Sequence, residues 1–312
     1  MDLRHLRYFL VVAEELHFTR AAQRLHIAQP PLSQQIRALE EELGVELFER
    51  NRRRVALTPA GEHFRRRTSA LLGELAVACE ETRRIGEGRA GELSVGFTSS
   101  LPFTSLLPEV LLDFRQTYPG VTLTLRELFT ARQFEALREG TLDIGFVRYD
   151  GLAPPEDLVL TEIRRDPLRL VINARHPLAG QAQVALSELA DEPFIVYPAG
   201  VGTGLNSRVR TLCKAAGYAP RVVQEAGEAT TQIGLVAAGL GVAILPAPLE
   251  CVHIGEVRYL PLRDEGAHVS LALATRSGPQ PALLRNFVER VQAHLSPEAG
   301  ALLRQQAAHL LP

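Results

Sequence analysis

Apolar residues at the start of the chain fall into three short stripes, each with the three-and-four spacing that gathers side chains on one helix face. Leu6, Phe9, Leu10, Ala13 and Leu16 make the first. Phe18 and Thr19 open a second, whose Ala21, Ala22 and Leu25 form a small, close-packing face, and HIAQ follows as a turn. The third runs from about Pro30 to Leu43, with Leu32, Ile36, Leu39 and Leu43 inward and Gly44 at its end. Its two leading prolines suit a helix start, where the first N–H groups have no internal partner and a fixed φ is already helical. VELFERNRRRVALT then predicts a hairpin, with Val45, Leu47 and Phe48 packing beneath the helices and NRRR at the turn.

From Pro59 to about Gly88 one long stripe takes over: Phe64, Thr68, Leu71, Leu75, Ala78, Thr82 and Ile85. A single stripe on so long a helix predicts a helical partner, either its copy in a second subunit or the chain's own body. After GEGRAG the rhythm changes again. ELSVGFTSS, VTLTLREL, LDIGFVR, LRLVIN, PFIVYP, RVVQEA, VAILP and VSLALATR read as short strands, with amphipathic helices between many of them. That alternation predicts a parallel α/β body, and its size suggests two lobes with a ligand cleft between them.

Composition narrows the classes. At 312 residues the chain has room for two or three domains, and 46% hydrophobic against 22% charged residues excludes extensive disorder. The net charge of -2 hides an uneven distribution: residues 1–67 carry 12 Arg against 9 acids, and seven arginines lie from Arg50 to Arg67 with one acid, Glu62. A local basic patch on a nearly neutral protein fits one small module meeting phosphate. Cys79, Cys213 and Cys251 are far apart and have no metal-ligand spacing, as in a reduced, cytoplasmic protein. Neither a signal-peptide layout nor an apolar run of membrane-spanning length is present in the sequence.

The candidate chemistry sits in two places. On the outer side of the third helix, Gln29, Ser33, Gln34 and Arg37 have groups suited to the major groove: Gln for adenine edges, Arg for guanine. The free N–H groups near Pro30 suit a phosphate, and Arg52, Arg53 and Arg54 at the hairpin suit the DNA backbone or minor groove. The competing reading is a small helical domain whose Gln and Arg merely face solvent. In the body, Thr98, Ser99 and Ser100 end the first strand, and Thr130 opens a helix. Arg148 ends the strand DIGFVR, Arg164 precedes the strand RRDPLRLVI, and GVGTGLN, with Gly202 and Thr203, leads into another helix. Hydroxyls, helix-start amides and arginines together favour a carboxylate ligand, although a Ser or Thr in such a place often only caps a helix. No phosphate-binding glycine signature, HExxH or nucleophile elbow occurs, and His176, His253 and His268 are scattered. The expectation is no enzyme, no cofactor and no metal.

The segment LRHLRYFLVVAEELHFTRAAQRLHIAQPPLSQQIRALEEELGVELFERNRRRVALTPAG resembles the N-terminal winged helix-turn-helix of LysR-type transcriptional regulators in order, spacing and residue type. The resemblance implies a mixed fold: an all-α winged helix-turn-helix at 1–58, a linker helix at 59–89 and an effector domain at 90–312 like a type 2 periplasmic binding protein. One lobe would take about 90–162 and 266–300, the other about 163–265. It implies major-groove contact by Pro30, Pro31, Ser33, Gln34 and Arg37, and backbone contact by Arg52 and Arg53. It also implies double-stranded promoter DNA as partner, dimers or homotetramers, and activation or repression in response to a coinducer, with RNA polymerase as a further candidate partner. VGFTSSLPFTSLLPEVL and RELFTARQFEALREGTLDIGFVR are similar to the branch that senses benzoate, muconate and related acids. By that likeness Ser100 and Thr130 hold the effector's carboxylates, while Arg148 and Arg164 match arginines tied to a secondary effector site or its electrostatics. The smaller loop AGVGTGLN departs from the branch's asparagine-containing one. The alternative function is a repressor or architectural protein whose large domain mainly oligomerises without a carboxylate effector.

Overall fold

The computed structural model describes residues 1–51, 54–150, 155–199 and 204–295. The chain divides into two compact units, residues 1–83 and residues 84 onward.

In the first unit α1 spans Leu3–Glu15, α2 Phe18–Arg24 and α3 Gln29–Leu43. Asp2 starts α1 by accepting from the N–H groups of Arg4 and His5, and His5 returns the bond to the Asp2 N–H. The expected inward Leu16 instead ends α1 at φ 45 and is 41% exposed. In α3 the two prolines occupy the first turn, and Gly44 ends the helix at φ 68, a conformation costly for other residues. Leu32, Ile36 and Leu39 join Phe9, Val12, Ala21, Ala22, Leu47 and Phe48 in one core; Val45, expected there, is exposed. The hairpin is β1 (Phe48–Asn51) antiparallel to β2 (Arg54–Leu57). Glu40 on α3 accepts from the N–H groups of Leu47 and Phe48 at 2.9 and 3.1 Å, so the third helix holds the start of β1. Thr58 caps the next helix through the Gly61 N–H.

That helix, α4, is continuous from Pro59 to Gly86. Of its predicted stripe only Thr68 is fully buried; Leu71 is 52% exposed, Leu75 37% and Ile85 62%.

The second unit has two cores. Around one lie β3 (Ala90–Phe97), β4 (Gly120–Glu127) and β5 (Ile144–Tyr149), with β3 parallel to both others. The sheet continues antiparallel through β11 (His268–Arg276) to β6 (Leu158–Asn173). Helices α5 (Leu106–Thr117) and α9 (Ala282–Ala293) share a core on one face, where Phe114 and Phe287 meet edge to face at 5.0 Å. Helix α6 (Thr130–Glu139) packs through Ala136 and Leu137 with Val147 and Ala272.

The second core gathers the far half of β6, β7 (Pro193–Val196), β9 (Ala243–Pro246), β10 (Val257–Pro261), and the helices α7 (Gly204–Ala215) and α8 (Ala229–Ala237). Parallel to β7 runs β8 (Arg221–Glu225). Two lobes therefore form, but with much antiparallel pairing where a parallel body was expected.

Strand β6 belongs to both lobes. Residues 158–167 pair with β11, and residues 168–173 pair with β9 and β10. The chain returns to the first lobe between β10 and β11. Arg164, expected ahead of a strand, is thus in the middle of one. Charged residues and Pro167 had masked the strand's first half in the apolar pattern.

Candidate nucleic-acid interface and ligand cleft

On α3 the residues expected to read DNA lie together. Gln29, Pro30, Pro31, Gln34 and Arg37 are exposed, and Ser33 is half-buried, accepting from Gln29 Nε2 at 2.8 Å. The cause is local: Leu32, Ile36 and Leu39 take the core side, leaving these positions on the others. No side chain caps the α3 N-terminus; Pro30 and Pro31 in its first turn carry no N–H, so the Gln29 N–H is what that turn leaves to an acceptor such as phosphate. Arg37 has no ion-pair or hydrogen-bond partner among the described residues. Arg52 and Arg53 lie outside the described residues.

Between the lobes of the second unit is a cavity of about 270 Å³. Thr98, Ser99, Leu128, Phe129, Thr130 and Arg148 line it from the first lobe, and Tyr197, Leu205, Glu228 and Pro246 from the second, with Glu127 and Arg132 also on its wall. The Phe129 and Tyr197 rings meet edge to face at 6.1 Å. Burial pushes the Tyr197 hydroxyl up to about 12, against a lowering by its hydrogen bond with Ser99.

Helix α6 places its first turn on this cavity because Gln133 pins it. That side chain is fully buried, and its Nε2 donates to the carbonyls of Leu128 and Phe146 at 2.8 and 3.1 Å. Gly96 and Gly145 leave the space it occupies. Phe129, the residue before α6, offers no side-chain cap, and the first intrahelical bond is donated by Gln133 to Phe129. The N–H groups of Thr130, Ala131 and Arg132 thus have no helical acceptor. Thr98 lines the same cavity, and its Oγ1 is buried with no hydrogen-bond partner among the described residues.

Behind the cavity is a buried charge cluster. Arg148 is 3% exposed and Asp166 5%, and they form an ion pair. Arg164, about one-third exposed, shares the same carboxylate at 2.7 Å. Arg148 Nε and Nη2 also donate to Ser100 Oγ at 3.2 Å, and its carbonyl accepts from Thr130 Oγ1 at 3.0 Å. Burial lowers the Arg148 guanidinium from its ordinary value, while the charge of Asp166 opposes that shift.

The expected site residues therefore separate. Ser99, Thr130 and Arg148 line the cavity; Ser100 and Arg164 are not among its lining and belong to the cluster behind it. Gly202 and Thr203 lie outside the described residues. The sequence reading missed Tyr197, Gln133, Asp166, Glu127 and Glu228. A glycine in each of SVGF and DIGF was the available trace of Gln133, since both mark strands that something approaches closely. Among the described residues no group of three or more His, Cys, Asp or Glu can hold a metal ion, and no helix is long and apolar enough to cross a membrane.

Two protein-family models match the chain. Residues 3–62 match the bacterial regulatory helix-turn-helix protein, lysR family, and residues 86–296 the LysR substrate binding domain. The chain is 46% identical over 288 residues to the uncharacterized HTH-type transcriptional regulator YnfL of Escherichia coli (strain K12), covering 92% of this chain and 96% of that one. It is similar to full-length CbnR solved with its target DNA, at a TM-score of 0.79 and 29% identity, covering 94% of this chain and 99% of that one. The BenM effector binding domain with its effector benzoate matches at a TM-score of 0.59 and 29% identity, covering 65% of this chain and 90% of that one.

Proposed function

Because the chain belongs to the LysR family of DNA-binding transcriptional regulators, we propose that a small organic acid held between its two lobes controls how it binds and activates at promoter DNA. DNA binding, oligomerisation and a small-molecule-binding C-terminal domain go with the family and fold. The finer assignments are ours: residues 1–58 read DNA, 59–89 link subunits, and 90–312 sense the acid.

One observation carries the effector class. The uncapped first turn of α6 opens on a largely apolar cavity, beside the half-buried Ser99 and the unpartnered Thr98 hydroxyl. A carboxylate placed there meets three N–H groups and the positive end of a helix dipole, while Phe129, Leu128, Leu205 and Pro246 cover an apolar frame. The volume, just under the ~300–1,000 Å³ of common ligand pockets, suits a compact acid. Benzoate in the BenM domain is a ligand of that kind. Ser100 and Arg164 then act from behind, through Arg148, rather than on the ligand. Gly202 and Thr203 remain effector-binding candidates on the sequence alone.

At the other end, Gln29, Pro30, Pro31, Ser33, Gln34 and Arg37 face the major groove, and Arg52 and Arg53 the backbone. Two copies joined along α4 present two reading helices, and a dimer of such dimers gives a tetramer able to engage RNA polymerase. The acid works only through its different affinities for two arrangements of the lobes.

The test is calorimetric titration of the full-length protein with benzoate and other small monocarboxylates. Saturable binding that weakens about tenfold in Ser99→Ala, roughly 1.4 kcal/mol, supports the site. No heat across the panel, with promoter binding intact, favours the oligomerising alternative. On DNA, Arg37→Ala is expected to lose roughly 1–3 kcal/mol on the promoter and far less on random sequence, and equal loss on both reduces Arg37 to a phosphate contact.

A further inference from the structure

We infer that the effector is a monocarboxylic acid with a hydrogen-bond donor or ammonium group at its far end, and that Glu127 and Glu228 select this donor and exclude a second carboxylate. The inference rests on the reading above that the α6 terminus holds the first carboxylate.

The two helix starts that face the cavity are not equivalent. Helix α6, from the first lobe, begins after Phe129 and brings no anion of its own. Helix α8, from the second lobe, begins after Glu228, whose carboxylate lies at its positive end. The same anchoring appears in both, since buried Gln232 of α8 donates to the Ala226 carbonyl as Gln133 of α6 does to that of Leu128. Neither helix start is capped by a side chain, but that of α8 carries a carboxylate at its N-cap residue and that of α6 does not.

Glu127 adds a second negative charge from the end of β4. Neither the Glu127 nor the Glu228 carboxylate has a hydrogen-bond or ion-pair partner among the described residues. The two cations on the cavity wall are both engaged: Arg132 with Glu135 at 2.6 Å, and Arg148 with Asp166. The charges on the wall with no ion-pair partner among the described residues are thus two carboxylates, one from each lobe, in front of an Arg148–Asp166–Arg164 cluster with one guanidinium in excess. They sense each other, for Glu127 is raised from its ordinary value by burial and then by the charge of Glu228. A ligand donor between them offsets that repulsion and favours closed lobes; a second ligand carboxylate adds to it.

Three acids on one aromatic frame separate the possibilities in calorimetric titrations of the full-length protein: benzoate, 4-(aminomethyl)benzoate and terephthalate. The expected order is 4-(aminomethyl)benzoate tightest, benzoate at least tenfold weaker, and terephthalate at least tenfold weaker again. In the double variant Glu127→Gln with Glu228→Gln, the ratio of dissociation constants between terephthalate and 4-(aminomethyl)benzoate falls at least tenfold. A ratio is read because a general loss of fold or affinity leaves it unmoved. Terephthalate binding as well as benzoate, or an unchanged ratio in the double variant, overturns the role of the two glutamates while leaving the carboxylate site standing. Failure of all three acids to bind overturns both.

Discussion

Asp166 answers two guanidinium groups with one carboxylate, in a place that water barely reaches. Removing its charge leaves Arg148 buried and uncompensated, and breaking a buried pair in this way costs about 3–5 kcal/mol. Asp166→Asn is accordingly expected to lower the urea midpoint of unfolding by that equivalent, whereas Arg164→Gln, at the half-open side of the cluster, is expected to lower it much less. Equal effects would mean that Arg164 shares the buried charge. Some of this neighbourhood was legible at the residue level. Ser99, Thr130 and Arg148 stand at strand ends and a helix start, places where local pattern alone suggests exposed donors. Asp166 and Tyr197 were not, because they meet Arg148 and Phe129 only across the fold, and Glu228 was not, because only folding brings it to the cavity wall. Ser100 shows the limit of position: one residue past Ser99, it bonds to Arg148 and is not part of the cavity wall.

Elements were legible where their own face decides them. Helices α1 to α3 follow from spacing, and the proline entry and Gly44 exit of α3 follow from backbone chemistry. Strand β6 was half missed because its partners, not its composition, make it a strand; Pro167 falls where pairing passes from β11 to β9 and β10. Helix α4 poses the opposite case. Its period was read correctly, yet Leu71, Leu75 and Ile85 are solvent-exposed in the single chain, so the stripe points to a neighbour that a single chain does not supply. Leu75→Asp places a charge in that stripe. The expected outcome in sedimentation is a lower mass at micromolar concentration with the helical content retained; an unchanged mass would remove α4 from the subunit contact.

At the scale of the whole chain, one close approach of the lobes lies where α7 begins. A Cβ on Gly204 would lie 2.5 Å from Tyr149 Cα and 2.6 Å from the Arg148 carbonyl oxygen, both backbone atoms of the other lobe. Glycine is what lets the two backbones approach. Gly204→Ala is expected to wedge the lobes apart and weaken binding of a small acid about tenfold, with little change in promoter affinity, as read by calorimetry and DNA titration. Preserved acid affinity would show that closure does not depend on this contact. The shared strand carries a consequence of another kind. Successive side chains of β6 alternate between faces, and its two halves serve different cores: Ile163 one, Leu168 and Leu170 the other. The pairing with β11 already holds one irregularity, between Glu162 and Arg164, and a further residue inserted between Ile163 and Leu168 would move the second half one step out of register with the first. Surface loops generally tolerate changes of length, whereas β6 is held by pairings along both of its halves. Descendants of this chain can exchange the exposed side chains of β6 more readily than they can change its length.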